Sequence, residues 1–209
     1  LERSLEASLQ NNQQFFATQI GQHVSNALTI PKRLFTIRNL ELLDKQPQNT
    51  QARQELKNIA HSLLQINYAA ASIYDSRGHE VAHAGSFADS PELSVPLNTA
   101  MQVDRPALAD NTIQVSLLWD FQYVLHAIMV VVDQPGRPIG KIVVETNMPQ
   151  LDAAIAGAKS IGTSAELAVC APLEADMQCF PLTISRGVTR RLPRLINGKA
   201  LPMSYALDG

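Results

Sequence analysis

The sequence predicts an α+β fold in which helices come first and one antiparallel sheet follows. Apolar side chains recur at helical spacing up to Ile66, and from Tyr68 the spacing changes to strand alternation. The strands after that point are separated by turns rich in Asp, Gly and Pro. Helices grouped ahead of strands indicate helices laid on an antiparallel sheet rather than alternating βα units.

The first 30 residues contain no strong breaker before Pro31 and read as one long amphipathic helix. Its stripe is Leu5, Leu9, Phe16, Ile20 and Ala27, in which Leu5, Phe16 and Ala27, and likewise Leu9 and Ile20, repeat every eleven residues. Eleven residues over three turns is close to a straight helix, so the stripe holds one side over about 45 Å. Asn12 and His23 occupy the third position of the repeat, and His23 is read as a structural histidine. The stripe suits either the rest of the chain or a second copy. Pro31 kinks or restarts the helix, and Leu34, Ile37, Leu40 and Leu43 continue at intervals of three to an end near Asp44. After the polar run QPQNTQ, Asn49 or Thr50 caps a further helix that buries Leu56, Ile59, Leu63, Leu64 and Ile66.

A hairpin follows, with a strand around Ala70 to Tyr74, a turn at Asp75, Ser76, Arg77 and Gly78, and a return through Val81. The stretch from Ser86 to Asp110 is loop-dominated, with a short strand near Val95. Strands are then predicted at Ile113 to Leu118, Tyr123 to Val132 and Ile139 to Thr146, the last two joined by DQPGRP, which completes a five-stranded meander. Past Asn147 the pattern restarts with a helix over PQLDAAIAGAKSIG, begun by Pro149 and stopped by Gly162. A strand AELAVCA pairs with one near Gln178 to Leu182, and too few strands remain to close a second sheet.

At 209 residues, 45% hydrophobic and 17% charged, the chain buries a real core. A net charge of −2, with basic residues not interleaved with aromatics, argues against nucleic acid as a partner. No apolar run approaches the roughly 18 residues of a membrane span. The chain opens on Leu1 rather than Met and reads as a segment of a longer protein. Cys170 and Cys179 are too few for a metal framework, and their separation suits the two arms of a hairpin. Their disulfide is the expectation, and it would indicate an oxidising compartment; two buried free thiols are the alternative. Arg186, Arg190, Arg191, Arg194 and Lys199 form a basic run read as a solvated face able to touch lipid head groups.

The long N-terminal helix, SIYDSRGHEVAHAG as a first hairpin, and VDQPGRPIGKIVVETNMPQLDAAI as a final hairpin and exit helix resemble the periplasmic double Cache sensor domains of bacterial transmembrane receptors. The resemblance covers most of the chain. It implies a helical spine at 1–45, a membrane-distal PAS-like Cache subdomain at 46–148, and a smaller or truncated membrane-proximal PAS-like unit at 149–209. It further implies an extracytoplasmic location, flanking transmembrane segments, homodimerisation through the N-terminal helix and a cytoplasmic output. AELAVCAPLEADMQCFP and NGKALPMSYALDG are similar to sensor regions attached to cyclic-di-GMP synthesis or breakdown modules, a histidine kinase or chemoreceptor output being the alternative. The function so implied is sensing of a small molecule of unknown identity, without a cofactor. A ligand-free interaction or dimerisation module is the second reading.

No catalytic grouping assembles from the sequence. His79 and His83, four apart in a strand, stand about 13 Å apart and do not share an ion. No HExxH, phosphate loop or GxSxG occurs, and Asp104 and Asp110 fall in a solvated loop. The segment is therefore not expected to be an enzyme. Trp119, Asp120, Phe121 and Tyr123 lie between two strands beside the long loop and suit a ligand lining, with core packing as the alternative. Folding at DQPGRP is expected to set Tyr123 opposite Glu145, which gives a ligand site of Trp119, Tyr123 and Glu145 with Arg105 as an internal counter-charge. The amino-acid-binding members of the resembled family carry an Arg two residues before a Trp–Tyr pair and an acid after the last strand's Gly. Here Leu117 and Asp120 replace the Arg and Tyr, which removes the carboxylate clamp, while Glu145 falls where the acid stands if Gly140 is matched.

Overall fold

Three helices open the chain: α1 (Glu2–Ala27), α2 (Leu34–Lys45) and α3 (Thr50–Gln65). The computed structural model describes residues 2–88, 93–96, 113–157, 169–180 and 190–200, with the side chains of 2–9, 93–96 and 190 left out. Pro31, in the break between α1 and α2, has no N–H to continue a helix. Ile20, Val24 and Ala27 of α1 and Ile30 beyond it are buried, while Phe16 is only half-buried and Leu5 and Leu9 lie outside the described side chains. The equal spacing of three read for α2 is corrected. Its buried face is Thr36, Asn39, Leu40 and Leu43, whereas Leu34 and Phe35 are 80% and 73% exposed. At 3.6 residues per turn, steps of three drift around the helix, and the face that stays put follows i, i+3, i+4 and i+7. Helix α3 starts as expected, since Asn49 Oδ1 accepts the Ala52 N–H at 2.9 Å. Its buried face is Ala52, Leu56, Ala60 and Leu63, while Ile66 is exposed.

The strands are β1 (Ala70–Asp75), β2 (Glu80–Gly85), β3 (Leu93–Pro96), β4 (Ile113–Trp119), β5 (Tyr123–Val132) and β6 (Pro138–Asn147). The expected meander is corrected by their order, β2-β1-β6-β5-β4, with β3 at the outer edge. β6 closes back beside β1, with Ala71 opposite Val144 and Ile73 opposite Ile142, so β1 is an interior strand. That explains why AASI is buried throughout. The register expected across DQPGRP is also corrected: Val124 pairs with Asn147 and His126 with Glu145, with a bulge between Val131 and Val132. This lies three residues from the expected pairing, and an odd shift moves every side chain to the other face.

Cα packing divides the chain into two compact units. The first comprises Leu1–Asp89, Pro96–Leu117 and Val124–Asn147 and holds the N-terminal helices together with the sheet. In it, α2 and α3 cover one face of the sheet. Ala71, Ile73, Ala82, Ala84, Ala127, Met129, Ile142 and Val144, which pair across the strands on that face, are all buried. Gly140 makes the close approach possible, because a Cβ there would stand 3.0 Å from Leu40 Cδ1 and collide with the Tyr74 carbonyl oxygen.

The second unit comprises Ser90–Val95, Leu118–Tyr123 and Met148–Gly209. Its described elements include α4 (Pro149–Gly157), β7 (Cys170–Leu173), β8 (Asp176–Cys179), β9 (Arg190–Pro193), β10 (Leu195–Ile196) and β11 (Lys199–Ala200). The expected helix stop at Gly162 lies outside the described residues. β7, β8 and β9 form a three-stranded antiparallel sheet, and β10 and β11 a hairpin, more strand than was expected here. Asn197 and Gly198 both have positive φ, 51° and 75°, the conformation a two-residue hairpin turn requires. Cys170 and Cys179 stand directly opposite each other on β7 and β8 and are joined by a disulfide, their Cα atoms 4.0 Å apart. The bridge suits an oxidising environment.

Candidate functional site

The sheet face away from α2 and α3 carries a connected group of polar side chains. Alternation places Ser72, His83, His126 and Glu145 there, because each pairs across the strands with a neighbour on that face. Glu145 is an enclosed charge on this face, its side chain 4% exposed. An isolated buried carboxylate is costly, and this one is satisfied from two directions. The Ala88 N–H donates to Oε2 at 2.8 Å, and His126 Nδ1 lies 2.9 Å from Oε1. The carboxylate therefore holds the segment after β2 down on the sheet.

His126 is the polar partner on this face that sequence reasoning missed. A carboxylate accepts, so Nδ1 carries the hydrogen of this contact and Nε2 is the ring's second hydrogen-bonding atom. Nε2 has no partner among the described residues, and the His126 side chain is 25% exposed. The Phe87 ring stands between two imidazoles, its centroid 5.7 Å from that of His83 and 6.3 Å from that of His126. The result is a small surface with one apolar ring and one open hydrogen-bonding nitrogen, backed by a fixed charge. The signal was present in YVLHAIMVVV, where a single titratable residue interrupts an otherwise apolar strand.

Beside it, Ser72 Oγ donates to Glu80 Oε2 at 3.0 Å and lies 2.8 Å from His83 Nδ1, while His83 Nε2 lies 2.9 Å from the Gly85 carbonyl oxygen. Serine has one proton to give and a carbonyl can only accept, so these contacts are simultaneously satisfied when both ring nitrogens carry hydrogen. The trio is a closed hydrogen-bond chain. It does not form a nucleophile and base: Ser72 is fully buried, both His83 nitrogens are engaged, and Glu80 bonds the serine rather than orienting the ring. No cluster of three metal-ligating side chains occurs among the described residues.

The four residues expected to bind a ligand divide. Glu145 stands in the first unit opposite His126, not opposite Tyr123. Trp119 and Tyr123 belong to the second unit, with ring centroids 5.0 Å apart, and Tyr123 packs on the buried Phe180 at 5.1 Å. Tyr123 is itself buried, its N–H donates to Asp152 Oδ1, and burial with the nearby Asp152 charge pushes its phenol well above the usual range. Burial also raises the Asp152 carboxyl, against the hydrogen bond from Tyr123 N–H. Arg105 lies outside the described residues. In the basic run, Arg191 pairs with Asp176 across β8 and β9 at 2.6 Å, while Arg186 lies outside the described residues. No family model and no curated protein matches the chain.

Proposed function

We propose that the chain is the extracytoplasmic ligand-sensing domain of a transmembrane signalling receptor of the Cache type. In this reading a small molecule binds beside His126 on the face of the first unit's sheet away from α2 and α3, and the change is relayed to a cytoplasmic output such as a diguanylate cyclase or phosphodiesterase. The observation that carries it is the Glu145–His126 pair, a buried carboxylate fixing an imidazole whose Nε2 is open beside Phe87. A purely structural polar pair has no need of an exposed ring nitrogen, whereas a binding surface uses few polar groups in fixed orientation. The disulfide agrees with a periplasmic location. No helix among the described residues is long and apolar enough to cross a membrane, so membrane attachment in this reading belongs to flanking segments.

The test is thermal unfolding of the wild type against a metabolite library, repeated for any stabilising compound with His126→Gln and Glu145→Gln. Saturable stabilisation lost in both folded variants supports the reading. A flat screen, or hits indifferent to both substitutions, would sink this site. The second reading, a dimerisation module, is favoured by one feature: from residue 10 to residue 19 the side chains of α1 are exposed or half-buried, with the Phe15 and Phe16 rings 6.0 Å apart and tilted by 59°. Concentration-dependent mass in solution that Phe16→Glu abolishes would support homodimerisation through α1.

A further inference from the structure

The first unit holds a separate cleft of about 270 Å³, lined by His23, Asn26 and Thr29 at the end of α1, by Arg33, by Asn67 and Tyr68 ahead of β1, and by Thr146 on β6. Thr146 is one residue from Glu145, so alternation sets it on the opposite face of β6 from the His126 surface. At about 30 Å³ per water, the volume corresponds to roughly nine water-sized groups, room for a small metabolite.

The polar inventory of this cleft is unusual. The Arg33 side chain makes no hydrogen bond or ion pair among the described residues, although its backbone serves as the N-cap of α2. The side chains of His23, Asn67, Tyr68 and Thr146 are likewise without a hydrogen-bond partner among the described residues. No acidic side chain lines the cleft. Two of these residues, Tyr68 and Thr146, are nearly enclosed. Their hydroxyls are not among the buried unpartnered atoms and so stay open to a hydrogen bond from outside the chain, and a lone guanidinium offers a planar fork that matches a carboxylate. Ile66, half-exposed on the same wall, supplies an apolar surface for a short tail.

We propose that this cleft is a second binding site, for a small carboxylate monoanion whose head group is taken by Arg33 and the hydroxyls of Tyr68 and Thr146. A single positive charge suits a monoanion better than a doubly charged phosphate. Burial holds the His23 imidazole below its usual value, and burial raises the Tyr68 phenol while the Arg33 charge pulls it back, which agrees with Arg33 standing close to that hydroxyl.

The experiment titrates the full chain with sodium propionate at pH 7, with sodium chloride at matched ionic strength and inorganic phosphate as comparisons, reading thermal unfolding and the His23 ring proton shifts. The expected result is saturable stabilisation by propionate with a moving His23 signal and little effect of chloride or phosphate. Arg33→Gln is expected to weaken propionate at least tenfold, and Tyr68→Phe several-fold, while His126→Gln leaves it unchanged. Stabilisation equal to that by chloride, an unmoved His23 signal, or full binding by Arg33→Gln overturns the proposal. A phosphate response exceeding that of propionate overturns the carboxylate assignment. If Arg33→Gln does not fold, Tyr68→Phe decides between the same outcomes.

Discussion

The two faces of the first unit's sheet are built from the same strands and differ completely in chemistry. On the helix-covered face, Ala71, Ile73, Ala127, Met129, Ile142 and Val144 are buried with no titratable group among them. On the other, residues one position along carry Ser72, His126 and Glu145, and the adjacent β2 adds His83. Because side chains alternate, the odd positions of β5 are buried throughout, while the even positions place His126 among apolar side chains on the other face. The difference teaches that the packing of one face and the polar contacts of the other are separable here by substitution at neighbouring residues.

The largest expected effect comes from the helix-covered face. Met129→Ala removes a fully buried side chain and is expected to cost about 2–5 kcal/mol in urea unfolding, by lost burial and the cavity left behind. Ile128→Ala, its neighbour on the half-buried face, is expected to cost less than half as much. Equal losses at the two positions would mean that the faces are equally packed, and the contrast would fail.

Next in size is Glu145→Leu, which leaves the Ala88 N–H and the His126 Nδ1–H without acceptors. Unpaired buried donors cost about 1–3 kcal/mol, and hydrogen exchange at Ala88 should accelerate at the same time. Glu145→Gln keeps an acceptor for one of them and is expected to lose less. An unchanged exchange rate at Ala88 in Glu145→Leu would show that the carboxylate does not hold this segment.

Element positions were largely legible because the chemistry that sets them is local. Asn49 announces α3 through a side chain that caps its own helix, and Asp75 to Gly78 announces the β1–β2 turn, where Asp75 Oδ1 accepts from the Arg77 and His79 N–H groups. The pairing of β6 with β1 was not legible, since both strands are buried on both faces and continuous apolar runs carry no register. The β5–β6 register was a separate gap: Glu145 was singled out from the sequence opposite Tyr123, and its partner His126 emerges only with the observed pairing. The Asn197–Gly198 hairpin was legible and overlooked amid the basic, proline-punctuated tail.

The smallest effect tests the helix side of the comparison through pH. His23 is half-buried on α1, with Arg33 and Tyr68 lining the same cleft and no carboxylate among its walls. Burial lowers its proton affinity in the folded chain below the ordinary value of 6.5 that the unfolded chain retains. Between those two values the unfolded chain binds more protons than the folded one, so stability rises with pH across that window. Above 6.5 both forms are neutral and His23 contributes no pH dependence. As pH falls through 6.5 the unfolded chain takes up its proton first, and the folded state loses ground until its own imidazole titrates. His23→Gln is therefore expected to unfold with a shallower loss of midpoint below pH 6.5 than the wild type, with the two curves parallel above it. If the substitution instead steepened the acid-side loss, the folded imidazole would be stabilised by its protonated form, and the absence of an acid from this cleft would have to be given up.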